Sequence, residues 1–156
     1  IEDLEEREGE SWHFGALVLS WADVTETAAD VHDGYNIVFH EFAHQLDDES
    51  GIADGAPLLA NKAAYADWTR VFEREYDALV EDVERHRPTL IDEYAIESPA
   101  EFFAVVTETF FEMPVELKAA HPELYEQLSL YYRQDPVSFA ALGRGGGPGE
   151  DSTDKR

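Results

Sequence analysis

Two histidines four residues apart, with a glutamate directly after the first, constrain this chain more than any other feature: His40-Glu41-Phe42-Ala43-His44. That spacing puts two imidazoles one turn apart on a shared face, so both reach a single ion only if the backbone between them is an α-helix. The flanking residues fit a helix. Asn36 can cap it, and Ile37, Val38, Phe42, Ala43 and Leu46 form an apolar set expected to face a core, while His40, Glu41 and His44 share another side. The chain has no cysteine, so a metal site has to be built from histidine and carboxylate. Such ligands suit one Zn2+ per chain. Glu41, one position on from His40, is too far round the helix to ligate, but it can take a proton from a zinc-bound water and deliver it to a leaving amine. It is therefore expected to be the general base of peptide hydrolysis.

A third protein ligand is needed. A pattern with glycine at position 47 and histidine or aspartate at position 50 would place it close by, but the chain has Asp47 and Ser50 there, which excludes the metzincin arrangement. A carboxylate from a later helix is the alternative. Glu101, in Glu97-Ser98-Pro99-Ala100-Glu101-Phe102-Phe103-Ala104, is the best candidate, because the small Ala104 one turn on allows close helix packing. Glu101 also stands three residues after Ser98, where it could simply complete a capping box. Glu97 and Glu108 are the fallback ligands. Asp47, one turn beyond His44, either orients a ligand histidine or is a solvated acid at a helix end. His13, His32, His86 and His121 lack a partner at ligand spacing and read as surface or packing residues.

Along the chain, Gly15–Trp21 reads as a strand whose edge (Leu17–Ser20) could pair with a substrate backbone, followed by a polar linker from Thr25 to Asp33. Asp47–Pro57 reads as a loop. A long helix is expected over about 61–87, with Tyr65, Trp68, Phe72, Leu79 and Val83 as its apolar stripe and Pro88 as its stop. Leu90–Ile96 is expected to be an extended connector. Helices then start at Ser98-Pro99, Pro114 and Pro122, the last ending near Asp135-Pro136. The expected fold class is α+β, mainly helical: a zincin-like domain with a small sheet and the His-Glu-x-x-His helix. Residues 1–138 form that domain, expected to lack an N-terminal part since the chain starts at Ile1, and the acidic, glycine-rich 139–156 is expected to be a disordered tail.

Composition excludes several functions. With 35 acidic against 11 basic residues, the net charge of -24 repels a phosphate backbone, so no direct nucleic-acid partner is expected. The same excess suits a solvated surface of the kind that concentrated salt screens. No apolar run approaches the roughly 18 residues needed to span a bilayer, so no membrane partner is expected either. The lack of cysteine fits a cytoplasmic location.

The blocks GALVLSWADV, GYNIVFHEFAHQLD, DEYAIESPAEFFAVVTETFFE and PELYEQLSLYYRQDP, in this order between about Glu8 and Pro136, together resemble the Mlc titration factor A family of zinc peptidases. The resemblance implies a gluzincin-like fold related to the catalytic domain of anthrax lethal factor. It implies that His40, His44 and Glu101 bind zinc, that Glu41 is the base, and that Tyr94, seven residues before Glu101, directs its hydroxyl at the tetrahedral intermediate. It also implies short peptide substrates, with aminopeptidase-like action among the options, and a glucose-responsive repressor of the Mlc type as a partner. The competing class is a non-catalytic regulator that titrates such a repressor and retains zinc.

Overall fold

The computed structural model describes residues 9–12, 16–27 and 34–143. Its centre is helix α4 (Pro99–Glu112), in which every residue from Phe102 to Phe110 is buried. A helix enclosed on all sides has to be apolar all round or have partners for its polar groups, and α4 does both. Phe102, Phe103, Val106 and Phe110 supply the apolar bulk. The Thr107 hydroxyl pairs with that of Tyr132 at 2.9 Å, and Thr109 donates to the Val105 carbonyl at 3.0 Å. Ser98 starts α4 in extended conformation, its Oγ accepting the Glu101 N–H at 3.1 Å, and Pro99 fills the first turn, where a missing N–H costs nothing.

Two long helices pack against this axis. Helix α2 (Ile37–Asp48) is capped by Asn36, whose side chain accepts from the N–H groups of Val38 and Phe39. Helix α3 (Lys62–Glu84) is capped in the same way by Asn61 and buries Trp68, Val71, Phe72 and Leu79, at steps of three, one and seven. Trp68 and Phe72 stack with centroids 3.9 Å apart, and Phe72 meets Phe102 of α4 edge-on at 5.7 Å. Burying each of these side chains contributes roughly 1.5–3 kcal/mol. The short helices α5 (Pro114–Ala120) and α6 (Pro122–Tyr132) follow, each opened by its proline, and close the core with Leu117, Leu124 and Leu128.

The expected α+β class with a small sheet needs correction. The body is helical, with the described core built from helices α2 to α6 and the segment between α3 and α4. Extended pairing among them is confined to one antiparallel hairpin, β1 (Gly9–Trp12) with β2 (Ala16–Leu19), in register Gly9 to Leu19 and Trp12 to Ala16. The strand expected over Gly15–Trp21 therefore ends at Leu19. Trp21 opens helix α1 (Trp21–Thr27), which takes the first residues of the expected linker; the rest of that linker, 28–33, lies outside the described residues, as do His13 and His32.

Three further expectations change. The connector before α4 is not extended: Glu93–Glu97 form a 3-10 turn, capped by Asp92, whose Oδ1 accepts the Tyr94 N–H at 2.8 Å. Phe42 does not face the core but is 54% exposed, because the polar side of α2 is the one turned toward α4. Helix α7 (Pro136–Gly143) runs across the expected boundary at 138, while 144–156 lie outside the described residues.

Candidate metal centre

The packing of α2 on α4 brings two imidazole nitrogens and the carboxylate of Glu101 together. Nε2 of His40 lies 3.1 Å from Nε2 of His44 and 3.1 Å from Oε2 of Glu101, while Nε2 of His44 lies 3.4 Å from Oε1 of Glu101. Among the described residues, these are the group of histidine and acidic side chains close enough to share an ion. Nδ1 of His40 faces Oε1 of Glu108 at 2.7 Å, so this nitrogen donates its proton to the carboxylate. The neutral ring then presents a bare lone pair at Nε2, aimed at other lone pairs. Such a cluster requires positive charge at its middle, either a proton on Nε2 or a cation.

A single proton serves at most one pair of these atoms. A cation serves all three at once. Tetrahedral zinc with bonds of about 2.0–2.1 Å sets its ligand atoms about 3.3 Å apart, close to the 3.1 Å between the two imidazole nitrogens and to the 3.1 and 3.4 Å at which each meets one oxygen of Glu101. Larger, oxygen-preferring ions would need longer edges and more carboxylates. The donor set and its dimensions therefore fit zinc. The titration of the side chains reflects the same crowding. Burial would lower His40, but the carboxylates of Glu101 and Glu108 reverse this and raise it to about 9. Burial would raise Glu101, but the two imidazoles beside it outweigh that and bring it to about 2.

Glu101 turns its carboxylate to the two imidazoles, while its backbone N–H is capped by Ser98. The fallback Glu97 is exposed and outside the cluster. Glu108, the other fallback, holds His40 from behind instead. Its other oxygen accepts the backbone N–H of Asn36, and Glu112, one turn further, accepts from the Asn36 side-chain amide at 2.8 Å. Glu101, Glu108 and Glu112 therefore form one row along α4, with a candidate ligand at one end and two anchors for the start of α2 at the other. Burial raises the Glu108 carboxyl against the opposing pull of His40 and the Asn36 N–H.

These residues line a cleft of about 860 Å³ that also includes Glu41, Tyr94, Asp92, Ile37 and Val105. Glu41 is buried, and burial raises its carboxyl above the ordinary value, with His40 and His44 pulling the other way. Tyr94 stands at the cleft wall, 53% exposed, its ring centroid 6.2 Å from that of His40. Asp47 is fully buried, and its oxygen accepts the Gly55 N–H rather than meeting solvent. His121, read from sequence as a surface or packing residue, faces Glu75 at 2.8 Å.

A helical domain that turns two histidines of one helix and a glutamate of another onto a single point, with a further glutamate beside them in a cleft, has the layout of a metallopeptidase. The chain belongs to the glucose-regulated metallo-peptidase M90 family, whose model matches residues 1–133. It is 45% identical over 132 residues to "Uncharacterized protein slr2042" of Synechocystis sp., covering 84% of this chain and 48% of that protein. It is 38% identical over 133 residues to Mlc titration factor A of Pectobacterium atrosepticum (83% and 49%) and 35% identical over 133 residues to that of Yersinia pestis (83% and 48%). The family resemblance read from the sequence blocks is thus borne out. The chain spans about half the length of these curated relatives.

Proposed function

We propose that this domain hydrolyses peptide bonds at one zinc ion held by His40, His44 and Glu101, with Glu41 as general base. The observation that carries the reading is the convergence of two imidazoles and one carboxylate, close enough to share an ion, in a cleft that also contains the buried carboxylate of Glu41. When bound, zinc supplies a Lewis acid that polarises the scissile carbonyl and makes water easier to deprotonate. Glu41 takes the proton of the attacking water and passes it to the leaving nitrogen; burial, by raising its proton affinity, suits it to both tasks. Tyr94 donates its hydroxyl proton to the oxygen on which negative charge develops. Glu108 holds His40 in the tautomer whose Nε2 lone pair faces the ion.

Short peptides are the proposed substrates, with aminopeptidase-like action among the options, and the cytoplasm is the proposed location. Among the described residues no helix is long and apolar enough to cross a membrane. The test is Glu41→Gln, which keeps zinc and loses roughly 10²- to 10⁴-fold in turnover of chromogenic peptide substrates, against His44→Ala, which loses both. A glutamine variant as active as the parent removes Glu41 from the mechanism. The relatives named Mlc titration factor A favour a second reading, in which the protein titrates a repressor of the Mlc type and hydrolysis is secondary. Glu41→Gln separates these as well, because a titrating protein keeps its repressor affinity when hydrolysis is gone.

A further inference from the structure

We infer that Asp47 is a positioning residue for the metal centre: through Gly55 it ties the last turn of the helix carrying both histidines to the first turn of the helix carrying Glu101. This rests on the metal reading above, since the ligand set is what is positioned.

Asp47 lies one turn beyond His44 and is 0% exposed. Its Oδ2 accepts the N–H of Gly55 at 2.8 Å, and the Gly55 carbonyl accepts Nε1–H of Trp68, on α3, at 3.0 Å. Gly55 has a φ of +80°, and a Cβ placed there would lie 2.3 Å from the carbonyl oxygen of Pro99, the first residue of α4 and two residues before Glu101. Only glycine combines that backbone angle with that approach. The end of α2, the loop, α3 and the start of α4 therefore meet at one residue, and Asp47 is the side chain of α2 that holds it.

The chemistry of the link supports a specific task. A loop N–H buried at this junction needs an acceptor. Asp47 supplies one at a cost, for its Oδ1 is buried without a hydrogen-bond partner. A residue kept only to fill space would avoid that cost by being aliphatic. The pair His40–Glu108 fixes α2 to α4 on one side of the ligand triangle, and Asp47–Gly55–Pro99 fixes the same two helices on the other. Ligand distances have to hold to about 0.2 Å, which a loose first turn of α4 would not allow.

The test measures Zn2+ affinity of the full chain by competition with a chromophoric chelator. Asp47→Ala is expected to weaken binding on the order of 10- to 100-fold. Asp47→Asn, which keeps an acceptor for Gly55, is expected to bind near the parent value. Trp68→Phe, which keeps a ring but deletes the donor to Gly55, is expected to fall between them, and it carries the test if Asp47→Ala does not fold. Leu128→Ala, a core truncation in α6, controls for stability: it lowers the melting temperature and leaves affinity in place. Parent-like affinity in Asp47→Ala, or an asparagine variant as weak as the alanine one, overturns the inference. Failure of the metal reading shows differently, as parent-like affinity in His44→Ala.

Discussion

Nδ1 of His40 donates to Oε1 of Glu108 across 2.7 Å, and this one contact decides which ring nitrogen is left to face Glu101 and His44. The same carboxylate accepts the Asn36 N–H, so the cap of α2 and the tautomer of its first histidine are fixed by one side chain of α4. Glu108→Gln keeps the shape but leaves one oxygen acceptor for two donors, the His40 Nδ1–H and the Asn36 N–H, so one of the two contacts is lost. Zinc affinity should fall on the order of 10- to 100-fold, read by chelator competition, with helix content unchanged. Affinity equal to the parent's would show that the ring is oriented by packing alone.

Tyr94 carries a separable expectation. It stands at the cleft wall outside the ligand cluster, so Tyr94→Phe should leave zinc affinity and melting temperature in place. Removing a donor to a developing oxyanion costs roughly 10²- to 10³-fold in kcat with KM nearly constant. Steady-state kinetics on a chromogenic peptide reads this, and a change confined to KM would place the phenol in substrate binding instead.

Those two side chains mark how far sequence reading reaches. Helix starts were legible because caps act locally: Asn36, Asn61 and Ser98 each accept from N–H groups two or three residues ahead, and Pro99, Pro114 and Pro122 each fill a first turn. The convergence of His40, His44 and Glu101 was legible because spacing on one helix and the choice of carboxylates narrow the set. The task of Glu108 was not, since it depends on α4 running alongside α2 for two turns past Glu101, and nothing local encodes that. Its position seven residues after Glu101, on the same helical face, was the available signal. Phe42 was misread for a related reason. Apolar periodicity assigns it inward, yet the carboxylates on α4 make the polar side of α2 the buried one, leaving Phe42 outside. The single strand signal was read as part of a sheet because local pattern does not distinguish a lone hairpin from the edge of a larger layer.

Metal removal should cost stability as well as activity. Without a cation, the two imidazole Nε2 atoms lie 3.1 Å apart and each also faces one oxygen of Glu101, at 3.1 and 3.4 Å, a crowding that protonation of His40 relieves. Zinc at 100 times its Kd stabilises the folded state by about 2.7 kcal/mol, so the melting temperature of chelator-treated protein should rise several degrees when zinc is restored. His44→Ala should abolish that rise. A calorimetric scan that gives the same Tm for chelator-treated protein and for protein at saturating zinc would sink the assignment.

A pH dependence remote from the metal centre follows from Glu75. The His121 ring N–H 2.8 Å away lowers its carboxyl below the ordinary 4.5, with Arg74 contributing and partial burial opposing. A folded-state value below the unfolded one means that the contribution to stability is fully present above about pH 4.5 and is lost as pH falls through the folded-state value. Glu75→Gln should therefore be less stable than the parent at pH 7, by no more than about 1 kcal/mol for so partly screened a pair. Urea unfolding of both proteins from pH 7 to 3.5 reads the difference, which should hold steady to about pH 5 and shrink below 4.5. A gap that widens in acid would reverse the assigned direction.

The net charge of -24 sets the last expectation. Basic residues that do find carboxylates are at the surface: Arg70 and Arg74 share Glu123 at 3.1 Å, and Arg85 and Arg87 pair with Glu81 and Asp82. Each such contact contributes little, about 0–1 kcal/mol, and 35 acids against 11 bases leave a large excess of negative charge. Their mutual repulsion opposes the compact state and decays over a Debye length, which shrinks from about 10 Å at 0.1 M salt to about 3 Å at 1 M. Screening this repulsion outweighs the weakening of the few surface pairs, so Tm should rise between dilute buffer and 1 M sodium chloride. Potassium chloride should act alike if screening is the cause. A Tm that stays flat or falls across that range would mean that the acidic excess is spread too thinly over the surface to destabilise the fold.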